Sequence, residues 1–220
     1  ADKMYGSILG ILAQKISNFS FSGAQEMFIN PNQVDFAAIS HTPTAVFVRV
    51  SDNDFSLNNL TSLFYTQALQ IFMAEADSRP DGRLQIPVRL YLDDFANLNI
   101  PDIDKTISVI RSREISVSIA IQSITQLEGL YGHAKAVTII DNCDHLLYLG
   151  GQSVETARFI AVKANKPASA ILNMPLGKAW LFERGNAPRE VKKYDLTRHP
   201  LYHQLPEYRA RAVPEQERVR

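Results

Sequence analysis

The sequence is short of most features that would place it in a specialised class. It has one cysteine, Cys143, so no disulfide can close within the chain and a reducing compartment is the expected setting. Cys143 itself reads as a small buried residue. Only 10 glycines and 11 prolines occur among 220 residues, which excludes a collagen-like or low-complexity fibre. Neither sign of charge dominates. The 23 basic and 23 acidic side chains cancel, which argues against a surface coated for duplex DNA and leaves a local patch open. No Cys/His spacing of the zinc type occurs, and His199 and His203, separated by Pro200, read as a turn. Long apolar runs are missing too. The run at residues 4–13 stops at Gln14 and Lys15, about half of the ~20 residues that cross a bilayer, and it carries no basic stretch of signal-peptide type. The chain opens Ala1-Asp2-Lys3 without an initiator methionine, so it is expected to be an excerpt of a longer protein.

What the chain does have is apolar material. At 45% hydrophobic residues it supplies a core for one domain, or one domain with a small appendage, and disorder is excluded. Residues 4–19 carry apolar side chains at helical spacing, and a second short helix is expected between Gly23 and Phe28. Residues 35–40 read as a connector. Residues 45–50 are apolar and β-branched and predict a buried strand, followed by turn and cap chemistry at Asp52, Asp54 and Ser56. Leu57, Leu60, Phe64, Ala68 and Ile71 recur at helical spacing in a helix ending near Ala76. Then come a strand at residues 88–92, a helix at 102–113, a strand at 116–121 and a helical stretch at 124–142 broken near Gly129 and Gly132. A strand at 145–149, a helix at 154–164, a strand at 179–183 and a sixth strand at 191–194 complete the series. Strands alternating with helices predict an α/β fold with a mostly parallel sheet covered on both faces. The final residues, rich in Arg and Glu, read as a solvated tail.

In open α/β sheets ligands bind at the carboxyl ends of the strands. Those ends carry Asp52 and Asp54, then Asp93 and Asp94, then Gln122 and Ser123, then Gly150 and Gly151. Leu90-Tyr91-Leu92-Asp93-Asp94 has the Walker B pattern of an apolar strand closed by two acids. There the first acid holds Mg²⁺, usually through a water, and the second activates the attacking water. The same pair also fits a helix cap or solvated turn. A receiver-type phosphoacceptor is disfavoured, because no Asp closes the fourth strand. The phosphate loop that partners a Walker B strand is not found. Gly177-Lys178 lacks the first glycine of that loop, continues with Ala179, and opens a strand. Taken alone, residues 1–220 are not expected to hold ATP tightly.

Local words then occur in order: Asp93-Asp94-Phe95-Ala96-Asn97-Leu98, Ile110-Arg111-Ser112-Arg113-Glu114-Ile115-Ser116, Ile121-Gln122-Ser123-Ile124-Thr125-Gln126-Leu127, Tyr131-Gly132, and Asn142-Cys143-Asp144 through Leu149-Gly150-Gly151. Together they resemble the TraG/TraD-type coupling proteins of conjugative type IV secretion, over residues 4–205. The resemblance implies a membrane-anchored, RecA-like P-loop ATPase that works as a homo-hexamer with ATP and Mg²⁺. Such a protein receives the relaxase–single-stranded DNA complex and passes it to the secretion channel, at the cytoplasmic face of the bacterial membrane. Its phosphate loop and membrane helices would lie upstream of this chain. Residues 1–40 would end the all-helical domain, 41–198 would form the C-terminal part of the nucleotide-binding domain, and 199–220 the tail.

By the same resemblance Asp93 is the Mg²⁺ acid and Asp94 the catalytic base, standing where the family usually has the longer Glu. Gln122 resembles the γ-phosphate sensor, although a plain strand-end hydrogen bond fits it as well. Arg113 resembles the arginine that reaches the neighbouring subunit's nucleotide, although a helix-end arginine on the macrodipole also fits. Residues 151–174 are short compared with relatives that carry an extra loop there. Lys163, Lys166, Arg184, Arg189, Lys192 and Lys193 are scattered candidates for DNA contact. A non-hydrolysing docking module is the alternative, motivated by Asp94 and the missing phosphate loop.

Overall fold

The computed structural model describes residues 2–17, 25, 29–30, 33–50 and 57–205. The chain divides into two compact units, Ala1–Cys143 and Asp144–Arg220. In the first unit, α1 (Asp2–Ser17) forms where the helical spacing predicts it, with Tyr5, Ile8, Leu9 and Ile11 exposed. The short helix expected at 23–28 and the caps expected at Asp52, Asp54 and Ser56 lie outside the described residues, Gln25 excepted.

Residues 35–40 are more ordered than a connector. Asp35 accepts the Ala38 N–H at 3.0 Å and starts a single turn, α2 (Phe36–Ile39). The long helix α3 (Asn58–Asp77) buries Leu60, Ala68, Leu69, Phe72 and Ala76, which recur along one face. Phe36 meets Phe64 and Phe72 edge to face at 5.0 and 6.0 Å.

The strand predicted at residues 45–50 is not formed. These residues pair with no strand, and Phe47 is 94% exposed. Their β-branched composition expresses a preference that only a ladder partner realises. Val46, Phe47 and Val48 instead line an apolar groove of about 380 Å³, shared with Phe64, Phe72 and Leu90.

β1 (Val88–Leu92) and β2 (Ile115–Ile119) pair in parallel, in register from Val88 with Ile115 to Leu92 with Ile119. The crossover between them carries α4 (Ile103–Val109), then a 3₁₀ turn at Arg111–Arg113 where the predicted helix ran on. After β2 come α5 (Ile124–Tyr131) and α6 (His133–Asp141), separated at Gly132, whose φ of +80° suits glycine and breaks the helix as the sequence suggests. Phe95, Ile100, Ile103, Leu127 and Ile139 are all but fully buried here. Each such side chain contributes roughly 1.5–3 kcal/mol of burial. Cys143, just past α6, is half-buried, and its thiol donates to the Ile139 carbonyl at 3.4 Å.

The second unit contains β3 (His145–Tyr148), α7 (Val154–Ala164), α8 (Ala168–Leu172), β4 (Lys178–Glu183) and β5 (Arg189–Lys192). Tyr148, Ala157, Ile160, Ala161, Ala164, Ile171 and Trp180 form its core. Ser153 caps α7, accepting the Thr156 N–H at 3.2 Å.

The α/β class stands, but the strand directions need correcting. Parallel pairing joins β1 and β2, whereas β3, β4 and β5 pair antiparallel in that order. A short turn links β4 to β5, which admits only a hairpin. Between β3 and β4 the chain runs through two helices packed on each other, not one. The added reversal at α8, five residues long and not foreseen, turns a would-be parallel return into an antiparallel one.

Candidate functional site

β1 and β2 run side by side, so their carboxyl ends deliver Asp93 and Gln122 to the same end of the pair. The chain turns sharply there. Asp94 has φ 47° and ψ 42°, a left-handed conformation that Asp tolerates better than most residues. Asp93 Oδ1 accepts the Asp94 N–H at 3.0 Å, and the Asp94 carbonyl accepts the Asn97 N–H at 2.8 Å. Phe95 N–H donates to the Ala120 carbonyl at 3.0 Å, which ties this turn to the end of β2.

Gln122 Nε2 donates to Asp94 Oδ1 at 3.4 Å, and Gln126 Nε2 donates to Gln122 Oε1 at 3.5 Å. Ser123 caps α5, accepting the Gln126 N–H at 3.3 Å. The structure therefore brings Asp93, Asp94 and Gln122 together, with their side chains exposed to solvent. Gln126 joins them. Its signal in the sequence was its place in the first turn of the predicted helix, directly after the strand end that carries Gln122.

Arg113 is not part of this cluster. It precedes β2 and so lies at the opposite end of the pair. Its Nε and Nη2 donate to the two carboxylate oxygens of Asp77 at 2.8 and 3.2 Å, and Nη1 donates to the Val109 carbonyl at 3.0 Å. To act on another molecule it would have to leave a bidentate pair.

In the second unit, Lys178 pairs with Glu190 across the β4–β5 hairpin, a structural use for the lysine of Gly177-Lys178. Of the scattered cations, Arg184 pairs with Asp144 at 2.7 Å, Arg189 pairs with Glu183, and Lys163 sits 5.1 Å over the Phe159 ring. Lys166, Lys192 and Lys193 are exposed. Gly150 follows β3 with φ +92°, and a Cβ there would meet Met174 Cε at 3.2 Å.

The donors at the ends of β1 and β2 are carboxylate and amide oxygens, the hard ligands Mg²⁺ prefers. No cluster of three or more His, Cys, Asp or Glu able to hold a metal occurs among the described residues.

Residues 87–166, from the start of β1 to just beyond α7, match the family described as the TraM recognition site of TraD and TraG. This stretch is of the TraG/TraD type. No curated protein matches the chain. Among solved structures the bacterial conjugative coupling protein TrwB, in its unbound form, superimposes with a TM-score of 0.60 at 18% identity, over 76% of this chain and 46% of that one. The same protein with a non-hydrolysable ATP analogue gives 0.51 at 19% identity, over 66% and 40%. TrwB with ADP and Mg²⁺ gives 0.50 at 18% identity, over 66% and 40%. The chain thus has the α/β fold of that portion of TrwB and spans less than half its length. No helix among the described residues is long and apolar enough to cross a membrane.

Proposed function

We propose that this chain is the hydrolytic and sensing part of a conjugative coupling ATPase that moves a relaxase–single-stranded DNA complex to a secretion channel. The observation that carries the reading is the joining of Asp94 and Gln122 at the ends of two adjacent parallel strands, within the TraG/TraD-type stretch. On this reading the gripping of the nucleotide phosphates falls to residues outside the chain. Residues 1–40 close an all-helical domain, 41–198 belong to the nucleotide-binding domain and 199–220 form a tail. The working particle is a homo-hexamer held at the cytoplasmic face of the membrane.

Asp93 would hold Mg²⁺ through water, and that ion, when bound, supplies positive charge to the phosphates. Asp94 accepts a proton from the attacking water. Gln122 has two tasks: its amide holds one oxygen of the Asp94 carboxylate, leaving the other for water, and it reports on the phosphate nearby. Asp94 is one methylene shorter than the Glu of relatives, so the water must approach the strand end more closely. Arg113 serves a neighbouring subunit only by exchanging Asp77 for phosphate. In the complete protein, Asp93→Asn should abolish ATP turnover and DNA transfer; full activity in that variant would refute the assignment.

A second reading is a docking module without hydrolysis. The family's own description, which names a recognition site for TraM, favours it. Calorimetry with Mg-ATP on the complete protein separates the two, because a docking module binds no nucleotide.

A further inference from the structure

We infer that Tyr131 is a positioning residue that fixes the Asp94 turn against Gln122; the inference rests on the functional reading above for its catalytic consequence only. The segment from Gln122 to the end of α5 meets the Asp94 turn and the loop after it at two points. Before the helix, Gln122 donates to Asp94 Oδ1 at 3.4 Å. At its last residue, the Tyr131 hydroxyl accepts the Ile100 N–H at 3.1 Å and donates to the Leu98 carbonyl. Between those two points the Tyr131 ring stacks on Phe95 at 5.5 Å and 15°. Phe95 is fully buried, is adjacent to Asp94, and is bonded through its N–H to the end of β2.

The residues from Asp94 to Ile100 hold one 3₁₀ turn, Phe95–Asn97, closed by backbone bonds from Asn97 to Asp94 and from Leu98 to Phe95, and Tyr131 ties the end of that turn to α5. The Ile100 N–H and the Leu98 carbonyl meet each other at 3.2 Å in a tight turn, and the hydroxyl gives each a second partner in a place where both residues are buried. Burial pushes the Tyr131 hydroxyl up to about 12, so it stays protonated and able to donate across the whole neutral range. Tyr131 sits 37 residues beyond Asp94 in the numbering, far outside any local motif around the acids.

The test uses Tyr131→Phe, which keeps the stack and removes the hydroxyl. Three readouts are taken: amide exchange at Ile100, the side-chain amide resonance of Gln122, and, in the complete protein, ATP turnover. We expect exchange at Ile100 to quicken at least 10-fold and the Gln122 amide resonance to move. Turnover should fall about 10-fold with KM for ATP unchanged, as a misplaced group lowers the rate and not the binding. Phe95→Leu, which removes the stack and keeps the hydroxyl, should retain protection at Ile100. The control Ile139→Val, a core change in α6, should leave the Gln122 resonance in place. An unmoved Gln122 resonance in Tyr131→Phe overturns the inference whatever turnover does. A moved resonance with unchanged turnover overturns its catalytic part. If the parent protein hydrolyses nothing, the functional reading fails, and the Ile100 and Gln122 readouts alone decide whether Tyr131 positions the turn. Should Tyr131→Phe fail to fold, Phe95→Leu carries the same readouts: a Gln122 resonance that stays in place when the stack is lost overturns the inference.

Discussion

Residues 145–192 hold three strands paired antiparallel, while residues 88–119 hold two paired parallel. In the antiparallel unit a short turn joins β4 and β5, and α7 and α8 contribute to a small continuous core. Cross-strand charge pairs such as Lys178–Glu190 and Arg189–Glu183 decorate it. Being exposed, they add little to stability. In the parallel unit a crossover through α4 joins the two strands, and the polar groups collect at one end of them. A parallel ladder points both carboxyl ends the same way, so it can set Asp93, Asp94 and Gln122 side by side. An antiparallel ladder sends successive ends in opposite directions. The candidate site residues therefore gather where the pairing is parallel.

The sharpest way to break this comparison is to cut each core in turn. Phe95 is fully buried beside the acid turn, and Phe95→Ala should cost about 3–5 kcal/mol. Amide exchange should rise through β1 and β2 and leave β4 and β5 as they were. Ile160→Ala, in the core of the other unit, should cost about 2–5 kcal/mol and show the opposite exchange pattern. Denaturant unfolding gives the magnitudes. If either substitution raises exchange in both units equally, they unfold as one body and the contrast fails.

Much of this contrast was legible in the residues, and the failures have a common cause. β1 and α7 occur at the boundaries predicted, because each carries its full pattern locally: an apolar run closed by two acids, and a Ser153 cap followed by helical spacing. Residues 45–50 misled because a strand is defined by a partner, and composition does not name the partner. The sheet directions misled because α8 is too short to leave a periodic signal. The strand-end rule pointed to Asp93, Asp94 and Gln122, which the structure places side by side. It did not find Tyr131, whose bonds reach back to Leu98 and Ile100 across the loop. For Arg113, the resemblance suggested an arginine reaching a neighbouring subunit and residue type a helix-end arginine, and only the position of Asp77 at the end of α3 shows which carboxylate its guanidinium holds.

Smaller effects sharpen the comparison at the acid turn. Asp94 sits at φ 47°, so Asp94→Ala should lose about 1–2 kcal/mol from the left-handed backbone. Asp94→Gly should stay within about 0.5 kcal/mol of the parent, because glycine accepts that conformation freely. Both variants should lack ATP turnover in the complete protein. Thermal unfolding and turnover measured together separate the backbone role from the carboxylate role. Equal stability of the Ala and Gly variants would show that the turn has relaxed out of this conformation. In the antiparallel unit, Ser153→Ala should cost about 1 kcal/mol through loss of the α7 cap.

The smallest effect expected is a pH dependence at Asp102, on the surface of the parallel unit. A hydrogen bond from Lys105 at 3.0 Å, then the charge of Lys105, then that of Lys135 hold its carboxyl below the ordinary 3.8. A carboxyl lowered in the folded state stabilises the fold above its unfolded value, and that contribution is lost as pH falls through the folded value. Lys105 is raised by the same pairing, first by the hydrogen bond to Asp102 and then by its charge. Its contribution is present below the ordinary 10.5 and is lost as pH rises through the folded value. Asp102→Asn should therefore differ from the parent across the neutral range and converge on it at both extremes. Added salt should shrink the difference, since the pair is exposed and screened. The measurement is the unfolding midpoint of both proteins from acid to alkaline pH at two salt concentrations. A difference that persists unchanged at the acid extreme would assign the effect to the left-handed backbone of Asp102, where φ is 51°, and not to its charge.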